Sequence, residues 1–247
     1  MEKAALAVII LTYNEENNIE ACIKSAEFAD EILVVDCGSS DRTCELAVLL
    51  GAKVLTHSMG TGGFAGQRNF ALDNTMAQWV LYLDADERIL PELAAEIKEI
   101  VEKNEPCGYK IKRLNIMFGK QMQHGGHRPD YVTRLYPRTA VSWDGVVHES
   151  PQLSVPVKKM KYAMQHYTYT DWNKYFTKFN QYTSLMADKM RSRGKKAGIL
   201  DLTLRPVYAF FRFYILQAGF LDGTFGFVFA VLHAYYTFVK YLKLKYS

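Results

Sequence analysis

Cysteine is scarce in this chain, with four in 247 residues: Cys22, Cys37, Cys44 and Cys107. They form no Cys-x-x-Cys pair and no dense disulfide pattern, which excludes a small disulfide scaffold and favours a reducing, cytosolic compartment. No Cys/His cluster has ligand spacing, so structural zinc is not expected. A secretory leader is also not expected. Met1-Glu2-Lys3 leads into only eight apolar residues, Ala4–Leu11, and Thr12-Tyr13-Asn14-Glu15 follow with no small-residue cleavage site. Internal repeats and low-complexity linkers are absent. Hydrophobic residues make up 49% of the chain, enough for a core, so wholesale disorder is excluded.

Net charge is also small, at +4, but it hides a split. Residues 1–105 carry 19 acidic and 8 basic side chains, while residues 106–247 carry 7 and 22. The halves thus stand at −11 and +15. An asymmetry of this size assigns a polyanion or anionic surface to the basic half. No recognised nucleic-acid-binding motif is present, so nucleic acid is not the expected partner.

The acidic half alternates strand and helix. Leu6–Leu11 is a continuous apolar run, the pattern of a strand buried on both faces. A helix with apolar residues at Ile19, Cys22, Ile23 and Ala26 follows, then a strand at Ile32–Val35. A helix at Asp41–Leu50 would take Ser40 as N-cap and Gly51 just past its end. A third strand at Lys53–Leu55, a glycine-rich turn, a helix through Arg68–Asn74 and a fourth strand at Trp79–Leu83 come next. Pro91 opens another helix that runs to about Lys103. This alternation predicts a parallel sheet covered on both faces, with ligands beyond the carboxyl ends of its strands. After Pro106, strands are expected at Cys107–Met117, Tyr131–Tyr136 and Val155–Tyr169, then a helix at Asp171–Arg193 capped by Asp171.

Three polar clusters fall at predicted strand ends: Thr12-Tyr13-Asn14-Glu15, Asp36-Cys37-Gly38-Ser39-Ser40-Asp41-Arg42-Thr43 and Asp84-Ala85-Asp86-Glu87. Asp84 and Asp86 are two apart, which in extended backbone sets both carboxylates on one face. Paired oxygen ligands suit Mg²⁺ or Mn²⁺, which also bind substrate phosphates. A bare Asp-x-Asp occurs often by chance and equally describes a capped turn. Its position after an apolar strand, in step with the other two clusters, favours a site. Arg68, behind flexible glycines at a helix start, suits phosphate.

The order Thr-Tyr-Asn-Glu-Glu, Val-Val-Asp-Cys-Gly-Ser-Ser-Asp-Arg-Thr, Gly-Gln-Arg-Asn, Leu-Tyr-Leu-Asp-Ala-Asp-Glu resembles the family-2 inverting glycosyltransferases over residues 4–170. The resemblance implies an α/β GT-A fold, a Rossmann-like mostly parallel sheet flanked by helices, with a C-terminal helical membrane-associating extension. It implies a nucleotide-sugar half at 1–105, an acceptor and catalytic-base half at 106–170, and the extension at 171–247. Thr12, Tyr13, Asn14, Glu15, Asp36, Arg68, Asp84 and Ala85 would hold the sugar nucleotide. Asp86 would hold Mn²⁺ or Mg²⁺, with His166 as a further ligand or simply a packed strand histidine. Trp143-Asp144-Gly145-Val146-Val147-His148-Glu149 resembles the family's base signature. Glu149 is therefore the expected general base, with Asp144 and Asp130 as alternatives. His124, Gly125, Arg128, Arg134 and His148 would serve the acceptor, although Arg134 also reads as a strand residue pairing with carboxylates.

Within the family, this chain looks most like bacterial lipopolysaccharide inner-core β-glucosyltransferases, which implies transfer of glucose from UDP-glucose to a lipopolysaccharide-core or lipid-linked glycan. A polyprenyl-phosphate glycosyltransferase is the alternative. A sugar nucleotidyltransferase would carry a basic glycine-rich loop after the first strand, where Thr12–Glu16 stand instead. A non-catalytic scaffold would have lost the Asp-x-Asp or the base. The aromatic, apolar and Lys/Arg-flanked tail suits helices at an anionic membrane interface, on the cytoplasmic face of the inner membrane. Core helices or a membrane span would read alike in sequence.

Overall fold

The computed structural model describes residues 5–60, 62–127, 130–144 and 150–246. The described chain runs β1 (Leu6–Thr12), α1 (Ile19–Ala26), β2 (Glu31–Asp36), α2 (Thr43–Leu49), β3 (Lys53–Thr56), α3 (Gly63–Asp73), β4 (Trp79–Asp84), β5 (Glu87–Arg88) and α4 (Pro91–Lys103). It continues through β6 (Gly108–Met117), β7 (Lys120–Gln121), β8 (Tyr131–Pro137), β9 (Val141–Asp144), β10 (Ser150–Leu153) and β11 (Val157–Tyr169). Three long helices follow: α5 (Trp172–Ser192), α6 (Ile199–Phe211) and α7 (Gly223–Tyr246).

The main sheet has the order β3-β2-β1-β4-β8-β6-β11-β5, with β7 paired to β6. Its first four strands are parallel; β8 joins β4 antiparallel, and β6 joins β8 antiparallel. Alternation explains why β1 is apolar throughout. Leu6, Val8 and Ile10 meet Ile19, Cys22 and Ile23 of α1 and Leu93 and Ile97 of α4 on one face. Ile9 packs on the other, with Leu33, Val35, Val80, Tyr82 and Ala71 of α3. A strand buried on both faces has no solvent-facing position to fill with polar residues.

By its contacts the chain forms two compact units, residues 1–114 with 130–166, and residues 115–129 with 167–247. The first holds the sheet and α1–α4. In the second, Met117, Met122, Phe213, Phe229 and Ala230 make a small core of their own. Asp171 caps α5 as expected, accepting from Lys174 N at 2.8 Å. Ser40 does not cap α2. The helix begins two residues later, with Arg42 at the cap position, and the Ser40 N–H and hydroxyl both turn to Asn14 Oδ1, at 2.8 and 3.4 Å. The tail is broken by a π-helical turn at Arg212–Leu216, left-handed backbone at Ala218 and a 3-10 turn at Gly219–Asp222. The stretch Gly219–Tyr246 is long and apolar enough to cross a membrane, by length and composition alone.

Candidate active site

Parallel pairing places Thr12 beside Asp36, so the loops after β1 and β2 leave the sheet together. Asp36 is buried and closes its own turn, accepting from Gly38 N and Ser39 N at 2.8 Å and from Ser39 Oγ at 2.5 Å. Gly38 sits at φ +99°, which a side chain would strain. Asn14, also left-handed at φ +54°, donates its N–H to Ser39 Oγ at 2.8 Å. The Glu15 N–H reaches Thr43 Oγ1 at 2.8 Å, and the Glu15 carboxylate accepts from Asn18 Nδ2 at 2.7 Å. The two loops are thereby stitched into one rim. Tyr13 is exposed on it, while Thr12 is buried with an Oγ1 that finds no hydrogen-bond partner among the described residues.

The third cluster departs from the sequence expectation. β4 stops at Asp84, and Ala85-Asp86 form a turn before β5. Strand alternation therefore does not extend across the Asp-x-Asp, and the two carboxylates have separate partners. Arg88 holds the turn by donating to Ala85 O at 2.7 Å and Asn18 O at 3.0 Å; Ala85 itself is buried. Asp84 faces Arg134, in a close ion pair, and Arg68, 3.9 Å away. Asp86 faces His166 Nε2 at 3.5 Å. That approach follows from the pairing of β11 with β5, which sets His166 opposite Glu87.

Glu87 is fully buried and lies 2.8 Å from Arg134 and 3.4 Å from Arg113. Burial raises its pKa against the pull of Arg134. Desolvation also opposes the charge on Asp84, but there Arg134 prevails and holds the carboxyl below its ordinary value. Asp84 keeps 37% of its side chain in solvent, so a ligand can still reach it. Arg68 lies over the Trp143 ring at 4.5 Å. Asn69 fixes that tryptophan, donating to its carbonyl at 2.8 Å and accepting from its N–H at 3.0 Å. Arg113 binds both oxygens of Asp130 and so occupies this carboxylate.

Asp86 and His166 keep 28% and 15% of their side chains in solvent. A carboxylate and an imidazole facing each other this closely fit a divalent ion of the Mn²⁺ type. Among the described residues no group of three or more His, Cys, Asp or Glu stands together. An ion shared with a substrate diphosphate needs only one or two protein carboxylates.

Of the other expected residues, Arg134 sits in the centre just described. His124 and Gly125 belong to the second unit. There, buried Asp222 accepts from His124 N at 2.9 Å and lies 3.0 Å from His124 Nδ1. Gly125 and Gly126 lie against the Phe213 ring. Arg128, His148 and Glu149 lie outside the described residues, and so does the Asp144 side chain. Sequence reading missed Glu87 and Arg113 as members of the buried charge cluster, Trp143 as the platform for Arg68, and Asp222 as the partner of His124. Glu87 carried a signal, a fourth polar residue after Asp-x-Asp. Arg113 carried none, being one of several basic residues on β6.

Comparison with known proteins gives this geometry its context. The Glycosyl transferase family 2 profile matches residues 7–149. An uncharacterized glycosyltransferase of Rickettsia felis is 30% identical over 264 residues, covering 100% of this chain and 91% of its own. The lipopolysaccharide core biosynthesis glycosyltransferase LpsC of Rhizobium meliloti is 30% identical over 261 residues, covering 98% and 92%. Among solved structures, S. aureus TarS aligns with a TM-score of 0.48 at 18% identity, covering 90% of this chain and 46% of that one. With the profile matched over residues 7–149 and relatives matched along 98–100% of the chain, this protein belongs to glycosyl transferase family 2 and is a glycosyltransferase.

Proposed function

We propose that this glycosyltransferase moves a hexose, with inversion, from a UDP-sugar such as UDP-glucose to a lipopolysaccharide-core or other lipid-linked glycan. The observation that carries the reading is the solvent-reachable, partly buried Asp86–His166 pair beyond the end of β4, beside a rim of two cross-linked loops, in a chain related to LpsC over 98% of its length. Asn14, Glu15, Asp36 and the buried Thr12 hydroxyl are assigned to the nucleoside. Arg68, stacked on Trp143, and Asp84 are assigned to the diphosphate and ribose side. Asp86 and His166 would hold Mn²⁺ or Mg²⁺. When bound, that ion supplies positive charge against the diphosphate.

The rest of the chemistry belongs to side chains. Glu149 is assigned as general base: its carboxylate takes the proton of the acceptor hydroxyl while that oxygen bonds to the anomeric carbon. The bond from the anomeric carbon to the diphosphate oxygen breaks in the same step, with inversion. Arg134 is assigned to keep Asp84 ionised at the centre. His124, Gly125, Arg128 and His148 are assigned to the acceptor, and the tail to an anionic membrane surface. Glu149→Gln should lower transfer by a factor of at least about 10² while sugar-nucleotide binding persists. Turnover of UDP-glucose with lipopolysaccharide-core acceptors measures this, and unchanged transfer would remove Glu149 from the role.

A further inference from the structure

Amphipathic helices ordinarily turn their apolar stripe inward, but α6 carries a second one outward. Leu200, Leu204, Val207, Tyr208 and Phe211 are all more than half exposed, and Ile215 of the π-helical turn is 49% exposed. At 3.6 residues per turn these positions share about 100° of arc. The charged residues of α6 stand beside this stripe, where Asp201 and Arg205 pair with each other. The inward face is separate: Ala209 and Phe213 are buried, and Phe210 meets Phe227 of α7. Leu216, Phe220 and Leu221 continue the exposed surface around the elbow. An apolar strip of this extent marks a contact with something other than water.

The charge next to it identifies the partner. The chain immediately before α6 forms an open cleft of about 330 Å³, lined by Arg191, Lys195, Lys196 and Lys245. Arg191 is paired with Asp188, whereas Lys195 and Lys196 have no carboxylate partner among the described residues. Residues 167–247 contain 12 Lys and Arg against four Asp and no Glu. Exposed apolar bulk bordered by unpaired cations complements an anionic lipid surface.

The same unit argues against α7 as a membrane span. α5 lies along it from Phe229 to Lys243: Phe179 stacks on Tyr235, and Lys243 Nζ donates to Asn180 Oδ1 at 2.7 Å and to Thr183 and Ser184 hydroxyls at 2.9 Å. On its other flank α6 sets Arg205 over Tyr241. Placing α7 across hydrocarbon would carry Lys178, Asp188 and Lys189 of α5 in with it, a steep cost for exposed charges.

We propose that the outward face of α6 and its elbow lie in the interface of an anionic membrane, with the Lys195–Lys196 cleft taking lipid headgroup phosphates. This rests on the membrane reading of the tail and makes it monotopic. The test is co-sedimentation of the full chain with phosphatidylcholine vesicles, with and without phosphatidylglycerol. Wild type should pellet with the anionic vesicles far more than with the neutral ones. Lys195→Gln/Lys196→Gln should bind the anionic vesicles about thirty-fold more weakly, roughly fivefold per basic residue removed. Leu204→Gln/Phe211→Gln, at exposed positions, should lose vesicle binding while keeping its melting temperature. Wild type left in the supernatant with both vesicles would overturn the membrane reading itself. Wild-type binding retained by Leu204→Gln/Phe211→Gln would overturn the α6 face alone, and equal binding to both vesicles would overturn the headgroup assignment.

Discussion

Arg134 shows how one side chain can organise a site without being its most obvious residue. It sits between Asp84 and the buried Glu87, and removing it leaves Glu87 only the longer contact with Arg113 and Asp84 only that with Arg68. Arg134→Leu should cost about 3–5 kcal/mol, the range for breaking a buried pair from one side, read from urea unfolding. The pH dependence has a definite sign. Asp84 has a folded pKa below its ordinary 3.8, so its contribution is present above that value and is lost as pH falls through the folded one. Glu87, raised by burial, works in the opposite direction and favours the folded state as pH falls. The stability gap between wild type and Arg134→Leu should therefore narrow below about pH 4. A gap that stays constant down to pH 3 would show that Arg134 does not act through Asp84. The sequence displayed Asp84, Asp86 and Arg134, and the reading of Arg134 as a strand residue pairing with carboxylates of the acidic half holds, but which carboxylates was not legible. Alternation would have turned both aspartates one way, and the turn at Ala85-Asp86 separates them.

Among the elements, those of the acidic half were legible because their signals are local. β1, β2 and β4 are apolar runs that end in polar clusters, and α4 opens on Pro91 and closes on Asn104 in the left-handed region. The His124–Gly126 segment was not legible in this way, because what fixes it lies about 100 residues later. Asp222 binds it, Lys120 Nζ donates to Asp222 O at 3.0 Å, and Gly125 N donates to Gln217 O at 2.9 Å. No spacing rule links positions so far apart. A Cβ at Gly125 or Gly126 would run into Phe213, and Gly125 also has φ +66°. Gly125→Ala should accordingly destabilise the segment by about 1–3 kcal/mol. Asp222→Ala, which leaves the partly buried His124 N–H without its acceptor, should cost a similar amount. Limited proteolysis between Phe118 and His127 measures both. If the segment is cleaved no faster in either variant, the anchoring described here is not what holds it. On the proposed acceptor role, Asp222→Asn should raise the acceptor KM more than it lowers kcat.

At the scale of the whole molecule, the change of sign along the chain carries the functional argument. The −11 half supplies β1–β5, α1–α4 and the carboxylates of the site, while Arg113, Arg134 and His166 reach it from strands of the +15 half. Part of that acidity is internal, since Asp36 caps its own turn and Glu87 and Asp84 share Arg134. What is left at the site for an external cation is chiefly Asp86 with His166 beside it. The central claim is that this pair makes sugar-nucleotide binding dependent on a divalent metal. Calorimetric titration of UDP-glucose with and without Mn²⁺, in wild type, Asp86→Ala and His166→Ala, tests it most directly. The account predicts metal-stimulated binding in wild type, its abolition in Asp86→Ala and its weakening by about ten- to a hundredfold in His166→Ala. Full metal stimulation retained in Asp86→Ala would contradict it.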